Sequence, residues 1–164
     1  MIKIRKAREG DIGEIVKIWR KDLIDYHNNL PTHPVVEEYW KFVPGADKLF
    51  GEHLKEILNS EGFILLVAEE RGKVVGYTKL KIKNRWKAFK EKKEIYINDI
   101  AVIENCRGKG IGSKLLNETE KYAKGENIGF LTLKADSENL KTLRFYKKHG
   151  FVKHYVQMVK KVGE

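Results

Sequence analysis

The stretch Arg107-Gly108-Lys109-Gly110-Ile111-Gly112-Ser113 sets three glycines and two cations between a strand-like run ending Ile100-Ala101-Val102 and an amphipathic helix pattern. Strand, glycine turn and helix, in that order, make an anion site. The first amides of a helix have no intrahelical partner and lie at the positive end of its dipole, so a phosphate placed there collects several hydrogen bonds. Glycine lets the backbone approach a bulky diphosphate without an intervening Cβ. Two other phosphate loops fail on spacing. The glycines before Ser113 and Lys114 are too close for G-x-x-x-x-G-K-[ST], and Gly108-x-Gly110 is followed by Ser113 where G-x-G-x-x-G needs glycine. A helix entry that uses glycine only to turn tightly has the same local sequence.

Asn139 and Tyr146 are seven residues apart in a helical pattern, so they lie within about 20° of one direction and share a face with Leu143. A phenol with an ordinary pKa near ~10 is protonated at neutral pH and can donate a proton, although aromatics at helical spacing also simply pack. Asp99 stands near the end of a strand-like run, either as a base or as a hydrogen-bonded strand-end carboxylate. Cys106 lies beside Arg107, which favours a thiolate, but no base is paired with it in the sequence. The five histidines show neither H-x-x-x-H nor cysteine-paired spacing, so no metal is expected.

Alternation over Ile2 to Ala7 predicts a strand, and Asp11 opens a helix with Ile12, Ile15, Val16, Trp19 and Leu23 at helical spacing. From Tyr26 to Ala46 the periodicity fails around Pro31, Pro34 and Pro44, which predicts an irregular segment. A helix over Asp47 to Asn59 follows. Strands are predicted over Phe63 to Glu69 and Val74 to Lys83, joined by a hairpin turn at Arg71-Gly72, and over Glu94 to Val102. The helix after the glycine turn ends near Gly125. A strand over Gly129 to Ala135, a helix over Glu138 to Lys148 and a last strand over Phe151 to Lys160 complete an α+β domain on a largely antiparallel sheet. The chain is read as one domain, residues 1–164.

The longest unbroken apolar run, Phe63 to Ala68, is far short of the ~20 residues a spanning helix needs, and the N-terminus has no apolar leader core. One cysteine can form no internal disulfide. These features predict a cytoplasmic protein without membrane attachment. The net charge of +10 invites a nucleic-acid reading, since Lys79 to Lys93 holds eight basic residues and one acid with Trp86 and Phe89 interleaved. Alternation of Lys79, Lys81 and Lys83 instead predicts a solvated hairpin face, and nucleic acid is not expected as a partner.

Arg107-x-x-Gly110-x-Gly112 resembles the R/Q-x-x-G-x-G/A signature of the GNAT superfamily of N-acetyltransferases. The run Asn139 to Phe151, with Asn near its start, Tyr near its end and a closing Gly-Phe, resembles the second motif of that family. Ile100-Ala101-Val102 resembles the end of its fourth strand, and Ile4-Arg5-Lys6-Ala7 with Asp11-Ile12 its opening.

The resemblance implies a mixed, mostly antiparallel sheet of six to seven strands with helices on both faces and a splay between the fourth and fifth strands. It implies acetyl-CoA as co-substrate and direct acetyl transfer in a ternary complex. Arg107, Gly108, Lys109, Gly110, Ile111, Gly112 and Ser113 would cradle the pyrophosphate, Ile100, Ala101 and Val102 would offer backbone groups to the pantetheine arm, and Asn139 would contact coenzyme A. Tyr146 would be the general acid toward the departing thiolate. No residue stands out as base; Asp99, acting through water, is the candidate. The acceptor is a small-molecule, polyamine or peptide amine, with Asp25, Tyr26, His27, Tyr39 and Trp40 as candidate pocket residues and Glu37 and Glu38 suited to a cationic amine. A homodimer is left open. The alternative is a coenzyme A-binding module without catalysis, serving regulation or RNA contact.

Overall fold

In a computed structural model describing residues 1–29 and 33–163, five strands form one sheet in the order β1-β2-β3-β4-β5. The side chains of residues 27–29 are outside the description, as is Pro31. The strands are β1 Ile2–Lys6, β2 Phe63–Glu70, β3 Lys73–Asn84, β4 Lys93–Val102 and β5 Leu131–Leu133. The helices are α1 Ile12–Asn29, α2 Pro34–Tyr39, α3 Ala46–Leu58, α4 Ile111–Gly125 and α5 Leu140–Lys148. Neighbours β1 to β4 pair antiparallel, whereas β5 joins β4 in parallel. Arg71 and Gly72 both adopt positive φ, 51° and 77°, the conformation that lets a two-residue turn match the twist of β2 and β3.

Both faces of the sheet are covered, which explains the unbroken apolar run in β2. Leu65 and Val67 point to one side, where Ile12, Ile15 and Ile18 of α1 and Phe50, Leu54 and Ile57 of α3 pack with Tyr77. Ile64, Leu66 and Ala68 point to the other, against Ile111, Leu115 and Leu116 of α4 and Tyr146 of α5. Period-2 geometry thus feeds two cores from consecutive residues. Arg5 ties the start of the chain to the sheet. Its guanidinium grips Asp11 at 2.7 and 2.9 Å and donates through Nε to Glu69 at 2.7 Å.

Several expectations are corrected. The sheet has five strands among the described residues, not six or seven, because residues 151–160 form no strand: a period-2 pattern becomes a strand only when a neighbour accepts its hydrogen bonds. β5 is regular over three residues instead of seven. Helix α1 continues to Asn29 through the point where its apolar spacing lapses, and α2 forms inside the segment expected to be irregular, with the His33 ring accepting from Val35 N–H at 3.2 Å. Lys79 is not on a solvated face. It is 9% exposed, pairs with Asp99 at 2.9 Å and lies over the Phe50 ring. Lys81 is exposed as expected and Lys83 is half-buried, and each lies over a ring, Phe63 and Tyr96 respectively.

Candidate active site

Pairing between β4 and β5 spans only Ile95 to Ile97 against Leu131 to Leu133. Beyond that point the strands part, the expected splay. A bulge contributes: Lys79 pairs with Asp99 but the next residue, Leu80, pairs with Ile97, so Asn98 is extra and the end of β4 is turned. Past the bulge, Ile103 N–H bonds Val75 O in β3 at 3.0 Å. Alternation then directs the backbone groups of Ile100 and Val102 into the gap. The side chain of Ala101 meanwhile joins the α1/α3 core.

From Val102 a short 3-10 turn over Glu104–Cys106 leads to the glycine turn. Gly108 and Gly110 both have φ of +77°, a conformation costing an L side chain about 1–2 kcal/mol. Gly110 caps α4, and Lys114 N–H is the first to bond back, to Gly110 O at 3.0 Å. The amides of Ile111, Gly112 and Ser113 therefore precede the intrahelical ladder and form the donor set expected of an anion site. A Cβ on Gly112 would stand 3.2 Å from the Phe145 ring, so this glycine also lets α5 approach α4. Lys109 is exposed beside the turn, and Ser113 Oγ lies 2.9 Å from His149 Nε2.

The Arg107 side chain turns away from the glycines. Its Nε donates to Val102 O at 2.9 Å and its Nη2 reaches Asp22 at 3.1 Å and Asp25 at 3.3 Å, joining α1 to the end of β4. Asp22 went unnoticed in the sequence because its partners are more than eighty positions away; no local pattern marks it. Burial raises the Asp22 pKa, the Arg107 guanidinium opposes that rise, and the charges of Asp25 and Asp99 add to it. Cys106 is buried in the α4 core at 5% exposure, which suits packing and not nucleophilic attack.

Tyr146 lies in the same core at 8% exposure. Burial first, then the charges of Asp22 and Asp99, hold its phenol above the ordinary value. The same causes, with Asp99 ahead of Asp22, raise Tyr77, which the sequence reading also missed. Two tyrosines from opposite faces of the sheet thus feel the same pair of carboxylates at the splay. Asn139 caps α5, accepting from Thr142 N–H at 3.0 Å, which commits its oxygen and leaves its amide nitrogen to donate. Tyr26 donates to Asp136 just after β5, bridging α1 to the far side of the gap. Tyr39 and Trp40 stand exposed at 53% and 47% and pack edge to face on each other, and Trp40 lines an open cleft with Glu37, Glu38 and Phe42. The side chain of His27 lies outside the described residues. No His, Cys, Asp and Glu cluster suited to a metal occurs among the described residues, and none of their helices is long and apolar enough to cross a membrane.

This geometry has counterparts. The profile of the acetyltransferase (GNAT) family matches residues 21–151. The chain is 32% identical over 123 residues to an uncharacterized N-acetyltransferase, YhfO, of Bacillus subtilis, covering 72% of this chain and 79% of that one. It is 32% identical over 163 residues to an N-alpha-acetyltransferase of Sulfurisphaera tokodaii, covering 93% and 84%. A crystal structure of a predicted acetyltransferase with acetyl-CoA from Clostridium acetobutylicum superposes with a TM-score of 0.72 at 23% identity, over 97% of this chain and 96% of that one. These likenesses give no support to a module without catalysis.

Proposed function

The chain belongs to the GNAT family of acetyltransferases and is an N-acetyltransferase; from that premise we propose that it transfers the acetyl group of acetyl-CoA directly to a primary amine in a ternary complex. The observation that carries this reading is convergence. β4 parts from β5 past Ile97, its end runs through the glycine turn into α4, and the charges of Asp22 and Asp99 both reach Tyr146, which packs in the core with α4. The glycine turn fits a diphosphate because its backbone is bare at Gly108 and Gly110, where no atom would contact an added Cβ. Lys109 adds a cation beside it. Arg107 serves this site by bracing Val102 and α1 through its side chain.

Acetyl-CoA supplies an activated thioester; the protein must place an amine against it, stabilise the developing oxyanion and return a proton to sulfur. Backbone groups of Ile100 and Val102 face the gap and hold the donor arm, and an amide there polarises the acyl oxygen. Asn139 donates to coenzyme A through its side-chain nitrogen. The amine lone pair attacks the thioester carbon, the carbon to sulfur bond breaks, and Tyr146 passes its proton to the leaving sulfur. Its raised pKa keeps that proton in place at neutral pH. Asp99, held by Lys79, takes the proton from the attacking nitrogen through water.

The acceptor is a small amine, a polyamine or a peptide or protein amino group entering from the α1 and α2 side. We read residues 1–164 as one acetyltransferase domain working in the cytoplasm. Free-thiol release from acetyl-CoA across a panel of small amines, polyamines and peptides tests the function. Turnover with at least one amine is expected. No turnover with any of them, together with no thermal stabilisation by millimolar acetyl-CoA, would overturn it.

A further inference from the structure

Tyr77 occupies a place that suits phenylalanine. It lies on β3 at 1% exposure, in the core shared by Ile15 of α1, Leu54 of α3 and Val67 of β2. Its hydroxyl makes no hydrogen bond among the described residues. A phenol carries one donor and two lone pairs, and leaving them unpaired in a core is costly, so a buried tyrosine usually has a partner for its oxygen. Only Asp99 Oδ2 is both sealed from water and without a hydrogen bond among the described residues, so the little exposure that Tyr77 keeps includes its oxygen. The hydroxyl opens onto space.

The bulge in β4 decides what borders that space. Ile95 and Ile97 point into the α4 core, but the extra residue at Asn98 shifts the alternation, so that Asp99 and Ala101 follow on the α1/α3 side. Ala101 pairs with Tyr77, and Asp99, paired with Lys79, is the diagonal neighbour of Tyr77, within reach of an aromatic side chain. From α1, Asp22 reaches the same region. Lys79 holds Asp99 Oδ2 at 2.9 Å and Arg107 holds Asp22 at 3.1 Å, so both carboxylates are fixed by cations and neither bonds the phenol. Their charges still reach it: after burial, Asp99 and then Asp22 raise the Tyr77 pKa.

An un-ionised phenol beside two carboxylates selects its ligand by charge. Its free lone pairs call for a donor, and the carboxylates repel an anion and favour a group with positive character. An amine meets both demands, since it donates through N–H and enters the site as an ammonium. The location agrees. Tyr77 stands opposite Ala101, next to Ile100 and Val102, whose backbone groups face the gap between β4 and β5.

We propose that Tyr77 binds the acceptor: its hydroxyl oxygen accepts one N–H of the amine and aims the nitrogen lone pair at the thioester carbon. This role, which rests on direct acetyl transfer to an amine, gives the attacking nitrogen a side-chain contact of its own. Tyr77 keeps its proton throughout, because the two neighbouring carboxylates oppose a third negative charge. The proton of the attacking nitrogen still leaves for Asp99, and the bonds made and broken are unchanged. Two tyrosines then divide the work across the sheet. Tyr146, on the α4 side, returns a proton to sulfur, and Tyr77, on the α1 side, holds the nitrogen.

Tyr77→Phe in the full chain removes the oxygen and keeps the ring. No protein hydrogen bond is lost among the described residues, so the melting temperature should equal or exceed that of the parent, and acetyl-CoA should stabilise the variant as it does the parent. With an amine that the parent acetylates, kcat/KM for that amine should fall by about tenfold or more, while KM for acetyl-CoA stays within about twofold. The Tyr77→Phe and Asp99→Asn double variant should lose less than the product of the two single losses, because both groups act on one nitrogen. An undiminished kcat/KM in Tyr77→Phe, a lowered melting temperature, or losses that multiply in the double variant would each overturn the role of Tyr77. Turnover by the parent in the same assay leaves acetyl transfer standing in those cases, whereas a parent inactive with every amine overturns both.

Discussion

Replacing Tyr146 by phenylalanine removes one hydroxyl from a ring that keeps its packing against Phe145 and Phe151, with centroids at 5.3 and 5.4 Å. The fold should be indifferent, since no protein hydrogen bond to that hydroxyl is broken among the described residues and the ring stays in place. The chemistry should not be. A positioned general acid contributes typically ~10²- to 10⁴-fold, which at 1.36 kcal/mol per decade is about 2.7 to 5.4 kcal/mol of barrier. The hydroxyl is held in a site only 8% exposed, where bulk water cannot easily replace it, so the upper half of that range is expected. Stopped assays of thiol release at saturating amine, with acetyl-CoA binding followed by thermal shift, separate the two effects. The variant should lose kcat while acetyl-CoA stabilises it as it does the parent. Burial and the nearby carboxylates raise the phenol pKa, so the protonated, active form persists to higher pH, and the alkaline loss of kcat in the parent should lie above the ordinary tyrosine value. An unchanged kcat in the phenylalanine variant refutes the assignment. A parallel loss of acetyl-CoA binding would instead make Tyr146 a binding residue.

Gly110→Asp should abolish stabilisation by acetyl-CoA, because it sets a like charge at the head of α4 and forces a side chain into a φ of +77°; Gly110→Ala, which carries only the backbone strain, should lower stability by about 1–2 kcal/mol and weaken binding less. Asp99→Asn should lower kcat/KM for the amine with acetyl-CoA binding retained, and an undiminished kcat/KM would remove Asp99 from proton transfer. Asp11→Asn should cost about 1.5–3 kcal/mol in denaturant unfolding, since two charge-assisted bonds from Arg5 are weakened. The Asp11 pKa is lowered on folding, chiefly by the Arg5 hydrogen bonds, so its contribution is full above the unfolded carboxylate value and is lost as pH falls through the folded one. Urea titrations between neutral pH and pH 3 should therefore show the wild-type advantage over Asp11→Asn shrinking at the acid end.

The glycine turn, the helix behind it and the Asn139 to Tyr146 face were legible in the sequence because each is a local pattern: a few residues whose spacing alone fixes turn conformation or helical direction. The two apolar faces of β2 were implicit in an unbroken hydrophobic run for the same reason. Which charges would face one another was not local. Arg107 reaches back more than eighty residues to Asp22 and Asp25, and Lys79 leaves the solvent because a bulge at Asn98 swings Asp99 opposite it. Alternation correctly put Lys79, Lys81 and Lys83 on one strand face but carried no information about what would cover that face.

The C-terminal segment, residues 152–163, marks the same boundary from the other side. Its residues specify a strand as clearly as those of β1, and β1 is a strand because Ile2 to Lys6 find Leu66 to Glu70. Sequence by itself determined the pattern, the conformational preferences and the chemistry each residue type can offer. Only the tertiary structure decided which carboxylates crowd Tyr146 and Tyr77, where β4 leaves β5, and that residues 152–163 pair with no strand among the described residues, because hydrogen-bond pairing and desolvation are properties of residues brought together, not of residues in order.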